Sequence, residues 1–437
     1  MLSAEKRVEK ILLGELGLSL SALQEMASAF LKEMEKGLAG KDASLPMLPA
    51  YVGKPDGTET GTFAALDFGG THVRVLLAEL CGGGYEILKK TSFPLRGAAA
   101  GYDYTRATAT GGALFSFIAG EIKRFIGGTQ HYPLGFTFSF TCEHRGLNQA
   151  ILLNWSKEIE TSGVEGRDVG ELLREALRHA KIENISLAAI VNDTIATLLT
   201  GAYRERNCNI AGILGTGYNV CYAEPHNPWR DTPMIINIEA GAFDQAPCSK
   251  YDFMLDESSE RPGKHLLEKM ISGKYLGELA RLVLLDLHRR DLIFRCENLS
   301  GFSKRGAWDS ADLSRVLENP APGNFLAQLK PGEKWGLLNL KEDDYAALHL
   351  ISRAVRDRSA RLAAAVYAGV LRRIDPRLEQ RHIIAVDGSL YEKMPGYAAV
   401  MEEALAELLG EKKEKISLRL TKDGSGIGAA IAAGMSQ

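Results

Sequence analysis

The chain predicts a duplicated α/β fold with a cleft between its halves, and three observations carry that reading. Residues 62 to 91 and again 211 to 238 form short apolar runs punctuated by glycine turns, the signature of hairpins. Between and after these sets, amphipathic segments with three- and four-residue apolar spacing alternate with short buried runs, the pattern of helices and strands in layers. A length of 437 residues is more than one hydrophobic core usually serves.

Leu12, Leu13, Leu16, Leu20, Leu23, Met26 and Phe30 predict one or two opening helices, followed by a Pro- and Gly-containing link to about Gly61. Strands are expected from Thr62 to Phe68, Val73 to Leu80 and Tyr85 to Thr91, joined as an antiparallel meander through Gly69-Gly70 and Gly82-Gly83-Gly84. A helix near Leu114 to Ile126, a strand from Pro133 to Phe140, a helix from Asp168 to Ala180 and a strand from Leu187 to Val191 follow. The second cycle starts at Ala211 and turns at Gly215-Thr216-Gly217. Pro262 marks a helix start, Tyr345 to Ile374 a long helix stopped by Asp375-Pro376, and Gly428 the start of a last Gly- and Ala-rich helix.

Composition excludes several classes of function. With 52 basic and 55 acidic residues the net charge is -3, so no global positive field exists for nucleic acid or an anionic membrane. Any phosphate must be bound locally. No stretch reaches about 18 uncharged apolar residues, and the amphipathic opening lacks the pattern of a secretory signal. Six cysteines without a Cys-x-x-Cys pair or a zinc-spaced His cluster read as reduced thiols. A cytoplasmic enzyme is expected.

Three strings could carry chemistry. Asp67-Phe68-Gly69-Gly70-Thr71 ends a strand and opens a hairpin, where glycine amides can approach an anion and the carboxylate can face a metal ion. An ordinary Gly-Gly turn is an equal reading of that string alone, and Arg74 reads equally as a phosphate ligand or a surface cation. Gly215-Thr216-Gly217 repeats the turn at the head of the second half, as a nucleotide clamped between halves would require. Asn192-Asp193-Thr194 follows a buried strand, so Asp193 could take a proton from a hydroxyl or could simply cap a helix. No Gly-x-x-x-x-Gly-Lys-Ser/Thr occurs, which excludes a Walker loop. Gly424-Ser425-Gly426-Ile427-Gly428 is too close to the last residue to open a dinucleotide-binding βαβ unit.

Taken in order, the strings resemble the hexokinase family over most of the chain. The matching segments are LDFGGTHVR at 66, LGFTFSF at 134, Trp155-Ser156-Lys157 and VEGRD at 164. They continue with VNDT at 191, LGTGYNVCY at 214, INIEAGAF at 236, PGKHLLEKMISGKYLGEL at 262, VDGSLYEKMP at 386 and DGSGIGAA at 423.

The resemblance implies an actin-like (ribonuclease H-like) fold of two α/β domains, with residues 59–195 plus 421–437 in a small domain and 1–58 plus 196–420 in a large one. It implies transfer of the γ-phosphoryl of Mg-ATP to the 6-hydroxyl of a hexose, glucose first, with Asp193 as general base and Lys157 as a catalytic cation. Ser139, Ser156, Lys157, Asn192, Asp193, Asn219, Glu239 and Glu268 would hold the sugar. Asp67, Gly69, Gly70, Thr71, Arg74, Gly215, Thr216 and Gly217 would face the phosphates, with Asp67 reaching Mg²⁺ through water. Gly388, Ser389 and Ser425 would lie near the adenosine. The protein would act as a monomer or homodimer, without nucleic acid or membrane partners.

The chain departs from the family at His72, Ala240, His265 and Ile427. Ala240 stands where a tryptophan follows the sugar-binding glutamate, and the lost indole is expected to enlarge the sugar site. An N-acetylated sugar is therefore a second candidate acceptor, and a sugar sensor without transfer activity a third.

Overall fold

A computed structural model describes residues 4–70, 72–97, 101–156, 159–229, 232–295, 297–319, 321–328, 335 and 340–437. Two sheets organise it. One has five strands in the order Ile185–Val191, Tyr132–Phe138, Thr60–Phe68, His72–Cys81 and Tyr85–Pro94. The last three form the expected antiparallel meander, and the first three run parallel, so their carboxyl ends all point to one side.

The other sheet has six strands in the order Leu48–Pro49, Met234–Asn237, Tyr218–Glu224, Cys208–Leu214, His382–Asp387 and Ile416–Leu420. It echoes the first: an antiparallel hairpin around Gly215 to Gly217, then two parallel partners. Duplication is thus visible in topology.

The seam between the sheets is filled by two helices, Asp193–Arg204 and Gly424–Gly434. Ile195, Leu198, Ile427 and Ile431 pack there with Phe63 and Leu76 from one sheet and Ala211 and Ile383 from the other. Glycine sets the spacing. A Cβ on Gly428 would stand 2.0 Å from the Ala196 carbonyl oxygen, and one on Gly135 only 1.8 Å from that of Ala429. Only hydrogen fits there.

Around the six-stranded sheet lies a larger apolar core built on Leu20–Leu38, Gly273–Arg289 and Glu342–Ile374. The long predicted helix is therefore present, ending at Ile374 as Asp375-Pro376 required. Two helix starts differ from expectation. Pro262 lies in a turn, because Gly263 (φ 74°) and His265 (φ 53°) are left-handed, so the helix begins at Leu266 and breaks again at Ser272. The last helix begins at Gly424 instead of Gly428, which puts Ser425 in its first turn. Among the described residues no helix is long and apolar enough to cross a membrane.

Candidate active site

A cavity of about 700 Å³ opens where the parallel strands of the five-stranded sheet end, facing the glycine hairpin of the six-stranded one. Ser139 follows the strand Tyr132–Phe138, and Asn192-Asp193 follow Ile185–Val191, so both sets arrive at the cavity from carboxyl ends. Open parallel sheets generally bind ligands there. Ser156, Asn219, Glu239 and Glu268 also line it, with Thr216 and Gly217. Lys157 and Thr71 lie outside the described residues.

Asn192, not Asp193, caps the helix. The Asn192 Oδ1 accepts the Thr194 N–H at 2.9 Å, leaving Asp193 as the first helical residue. The Asp193 Oδ1 accepts the same N–H at 2.8 Å. Asn192 therefore supplies the cap, and Asp193 stands beside it at the cavity.

On the opposite wall an amide chain fixes Glu239. The Asn219 Nδ2 donates to the Asn237 Oδ1 at 2.8 Å, and the Asn237 Nδ2 donates to the Glu239 Oε1 at 2.8 Å. Glu239 itself is left-handed at φ 56°, a conformation costing an ordinary residue on the order of 1 to 3 kcal/mol. Glu268 packs against two glycines, since a Cβ on Gly241 would come within 2.9 Å of its Cβ and one on Gly217 within 3.1 Å of its Oε1. His265 Nδ1 stands 3.9 Å from the Glu268 Oε2, and burial lowers the imidazole pKa against the pull of that carboxylate. Carboxylates, amides and hydroxyls so arranged suit a polyol with many directional hydroxyl groups.

The second group of expected residues gathers beside the cavity. Asp67 is buried, and its Oδ2 accepts from the Arg74 Nη1 and the Ser425 Oγ, each at 3.1 Å. Ser425 is held in turn by its carbonyl, which accepts the Thr137 hydroxyl at 2.6 Å. A Cβ on Gly215 would lie 3.6 Å from Gly388 Cα and 3.7 Å from Ser389 N, so these turns adjoin. Gly70 (φ 138°) and Gly388 (φ 119°) occupy backbone conformations that L side chains rarely adopt.

Negative charge accumulates here. Burial raises the Asp67 pKa, and neighbouring Asp193 adds to the rise against Arg74 and Ser425. Asp387 is pushed up to about 6 by burial, with Asp193, Asp67 and Asp423 adding to it against the Gly388 amide. The Asp67 Oδ1 is buried without a hydrogen-bond partner. An orphaned carboxylate oxygen among raised carboxyls fits a divalent cation close by. Among the described residues, however, no group of three carboxylate, His or Cys side chains is arranged to hold a metal. The fit is therefore to Mg²⁺ carried by phosphates and reached through water.

Sequence reading missed several residues of this site. Asn237 ends the strand Met234–Asn237 and reaches Glu239 only because the chain turns left-handed there. Asp387 carried only its place before Gly388. Gly273 and Lys274 brace the second turn, their N–H groups donating to the Gly215 and Thr216 carbonyls at 2.8 and 3.2 Å. Nothing local announced that contact. The expectation for Ala240 fails: its methyl is fully buried in the large apolar core, while Glu239 and Gly241 on either side line the cavity. Ile427 is likewise a core residue of the seam.

Comparison with known proteins decides the family. Hexokinase family models match residues 9–203 and 209–435. The hexokinase of Kluyveromyces lactis is 34% identical over 451 residues, covering 96% of this chain and 90% of that protein.

This chain belongs to the hexokinase family.

Hexokinase-2 of Rattus norvegicus is 37% identical over 450 residues, 98% of this chain but 48% of that protein, so the chain spans about half the length of such relatives. The structure of the Schistosoma mansoni hexokinase complexed with glucose superimposes with a TM-score of 0.85 at 32% identity, over 99% of both chains. Another hexokinase crystal structure gives 0.86 at 32% identity. The hexokinase fold, with its two actin-like α/β domains, is thereby this chain's fold, as expected.

Proposed function

We propose that this chain transfers the γ-phosphoryl group of ATP to the 6-hydroxyl of a hexose, glucose first, with Asp193 as general base. One observation carries the reading: Asp193 lines one cavity with Ser139, Ser156, Asn192, Asn219, Glu239 and Glu268, and both glycine turns lie at or beside it. Membership of the hexokinase family and the likeness to a glucose-complexed hexokinase support the same activity.

In this reaction the sugar hydroxyl oxygen attacks the γ-phosphorus, its proton passes to Asp193, and the bond to the bridging oxygen breaks to release ADP. The transition state is loose, so positioning and charge neutralisation outweigh proton removal. Asn219, Glu239 and Glu268 orient the acceptor. The amides of Gly69, Gly70, Gly215, Thr216 and Gly217, with Arg74, face the phosphates, and the family motifs assign Thr71 and Lys157 to the same task. Gly388, Ser389 and Ser425 flank the adenosine. Mg²⁺ bound with ATP supplies neutralisation at the phosphates, and Asp67 would hold it through water.

We assign residues 59–195 and 421–437 to a small domain and 1–58 and 196–420 to a large one, with a monomer or homodimer acting in the cytoplasm. An N-acetylated acceptor is favoured if Ala240 opens the pocket, and the packing of the Ala240 methyl in the apolar core supports glucose first instead. The test is ADP release from Mg-ATP across glucose, fructose, mannose, glucosamine and N-acetylglucosamine. Turnover on glucose that falls roughly 10²- to 10⁴-fold in Asp193→Ala is expected. Tight glucose binding without ADP release would instead make the chain a sensor.

A further inference from the structure

We propose that Arg261 is a positioning residue that ties the two walls of the cavity together at the segment carrying Ser156. The Arg261 Nη2 donates to the Trp155 carbonyl oxygen at 3.2 Å, joining residues 106 apart, both of which line the cavity. The inference rests on the kinase reading above for its effect on turnover.

Each end of this bond is anchored on its own wall. The Arg261 carbonyl accepts the Lys269 Nζ at 2.7 Å, and that ammonium, almost fully buried, also binds the Asp256 Oδ1 at 2.6 Å. Asp256 further accepts the Gly263 N–H at 2.8 Å, so the whole turn from 256 to 269 is one braced unit. Pro262 restricts Arg261 to extended backbone, which narrows the conformations open to this turn. Its acidic neighbour Glu260 is engaged by Lys274 at 3.1 Å.

Across the cavity, Trp155 is 5% exposed, and its ring packs on Phe140 with centroids 4.8 Å apart. The Trp155 N–H donates to the Glu165 Oε1 at 2.6 Å and its Nε1 to the Thr161 carbonyl at 2.8 Å. A carbonyl held this way cannot follow the arginine if the walls part. The bond therefore exists only while the walls stand together, and it stabilises that state. Ser156, the next residue, is then held over the acceptor. A charge-assisted bond to a carbonyl at a partly exposed site is enough to bias such an equilibrium by about tenfold.

The experiment compares wild type with Arg261→Ala, Arg261→Gln and Arg261→Lys in steady-state kinetics, with hydrogen exchange of the peptide containing Trp155 at saturating sugar. Arg261→Ala and Arg261→Gln should raise the KM for sugar about tenfold, leave kcat within about twofold, leave the KM for ATP unchanged and speed exchange at Trp155. Arg261→Lys, which keeps a charged donor, should recover part of the loss. A sugar KM within twofold of wild type in Arg261→Ala, with exchange unaltered, would overturn the inference and leave the kinase reading standing. A wild type inactive on every hexose would overturn the kinase reading, and exchange in the sugar-free variants would then decide the tie itself: faster exchange at Trp155 supports it, unchanged exchange refutes it.

Discussion

The Asp67 carboxylate and the Ser425 hydroxyl meet at 3.1 Å although 358 positions separate them in the chain. This bond fastens the first glycine turn to the first turn of the last helix. Ser425→Ala should leave Asp67 with Arg74 alone and raise the KM for Mg-ATP roughly five- to tenfold, while the sugar KM stays put. Initial-rate kinetics with each substrate varied in turn would check the split.

The seam between the sheets tolerates no added methyl at Gly428, whose Cβ would stand 2.0 Å from a helix backbone oxygen. Gly428→Ala forces the two helices apart and should cost about 1 to 3 kcal/mol, read as a lowered urea midpoint. Gly112, with open space around its Cβ, is the control site: Gly112→Ala should be neutral or stabilising.

Acid sensitivity should centre on Glu33. Burial alone would push its carboxyl up, but hydrogen bonds from Lys36, Ser44 and Gln245 outweigh burial and hold it at about 2. A depressed carboxyl contributes stability that is present above its ordinary pKa of 4.5 and is lost as pH falls toward 2. Glu33→Gln should therefore cost about 1 to 3 kcal/mol at pH 7, and the difference from wild type should shrink through that window in urea titrations.

His265 gives a separate pH test. Its imidazole pKa is lowered by burial and by nearby Arg261, Lys269 and Lys264, against Glu268. The neutral ring thus persists in the folded form to below the ordinary histidine pKa of 6.5, and only stronger acid converts it to a cation beside Glu268. The sugar KM should be flat above neutrality and rise on acidification, and His265→Gln should flatten that rise.

Much of this was legible because the glycine turns and the Asn192-Asp193 pair are local signals: a strand end, small residues, a helix start. The meander and the long helix to Ile374 followed from periodicity and proline for the same reason. What escaped was set by tertiary packing. Pro262 is a sound helix opener by itself, but Gly263 and the left-handed His265 postpone the helix. Ala240 was expected to leave room where an indole is lost, whereas its methyl packs in the apolar core while Glu239 lines the cavity. Asp387 joins the acidic group only through the pairing of His382–Asp387 with Cys208–Leu214, a register no local pattern encodes.

The helix Gly424–Gly434 also bears on how the protein is made. It packs on Thr60–Phe68, Tyr132–Phe138 and Asp193–Arg204, all of which leave the ribosome long before it does. One face of the five-stranded sheet, with Phe63, Ala65 and Leu76, consequently has only the helix Asp193–Arg204 to cover it until the last helix is made. That nascent face is an apolar surface awaiting its last eleven-residue plug, and it is where a chaperone would be needed.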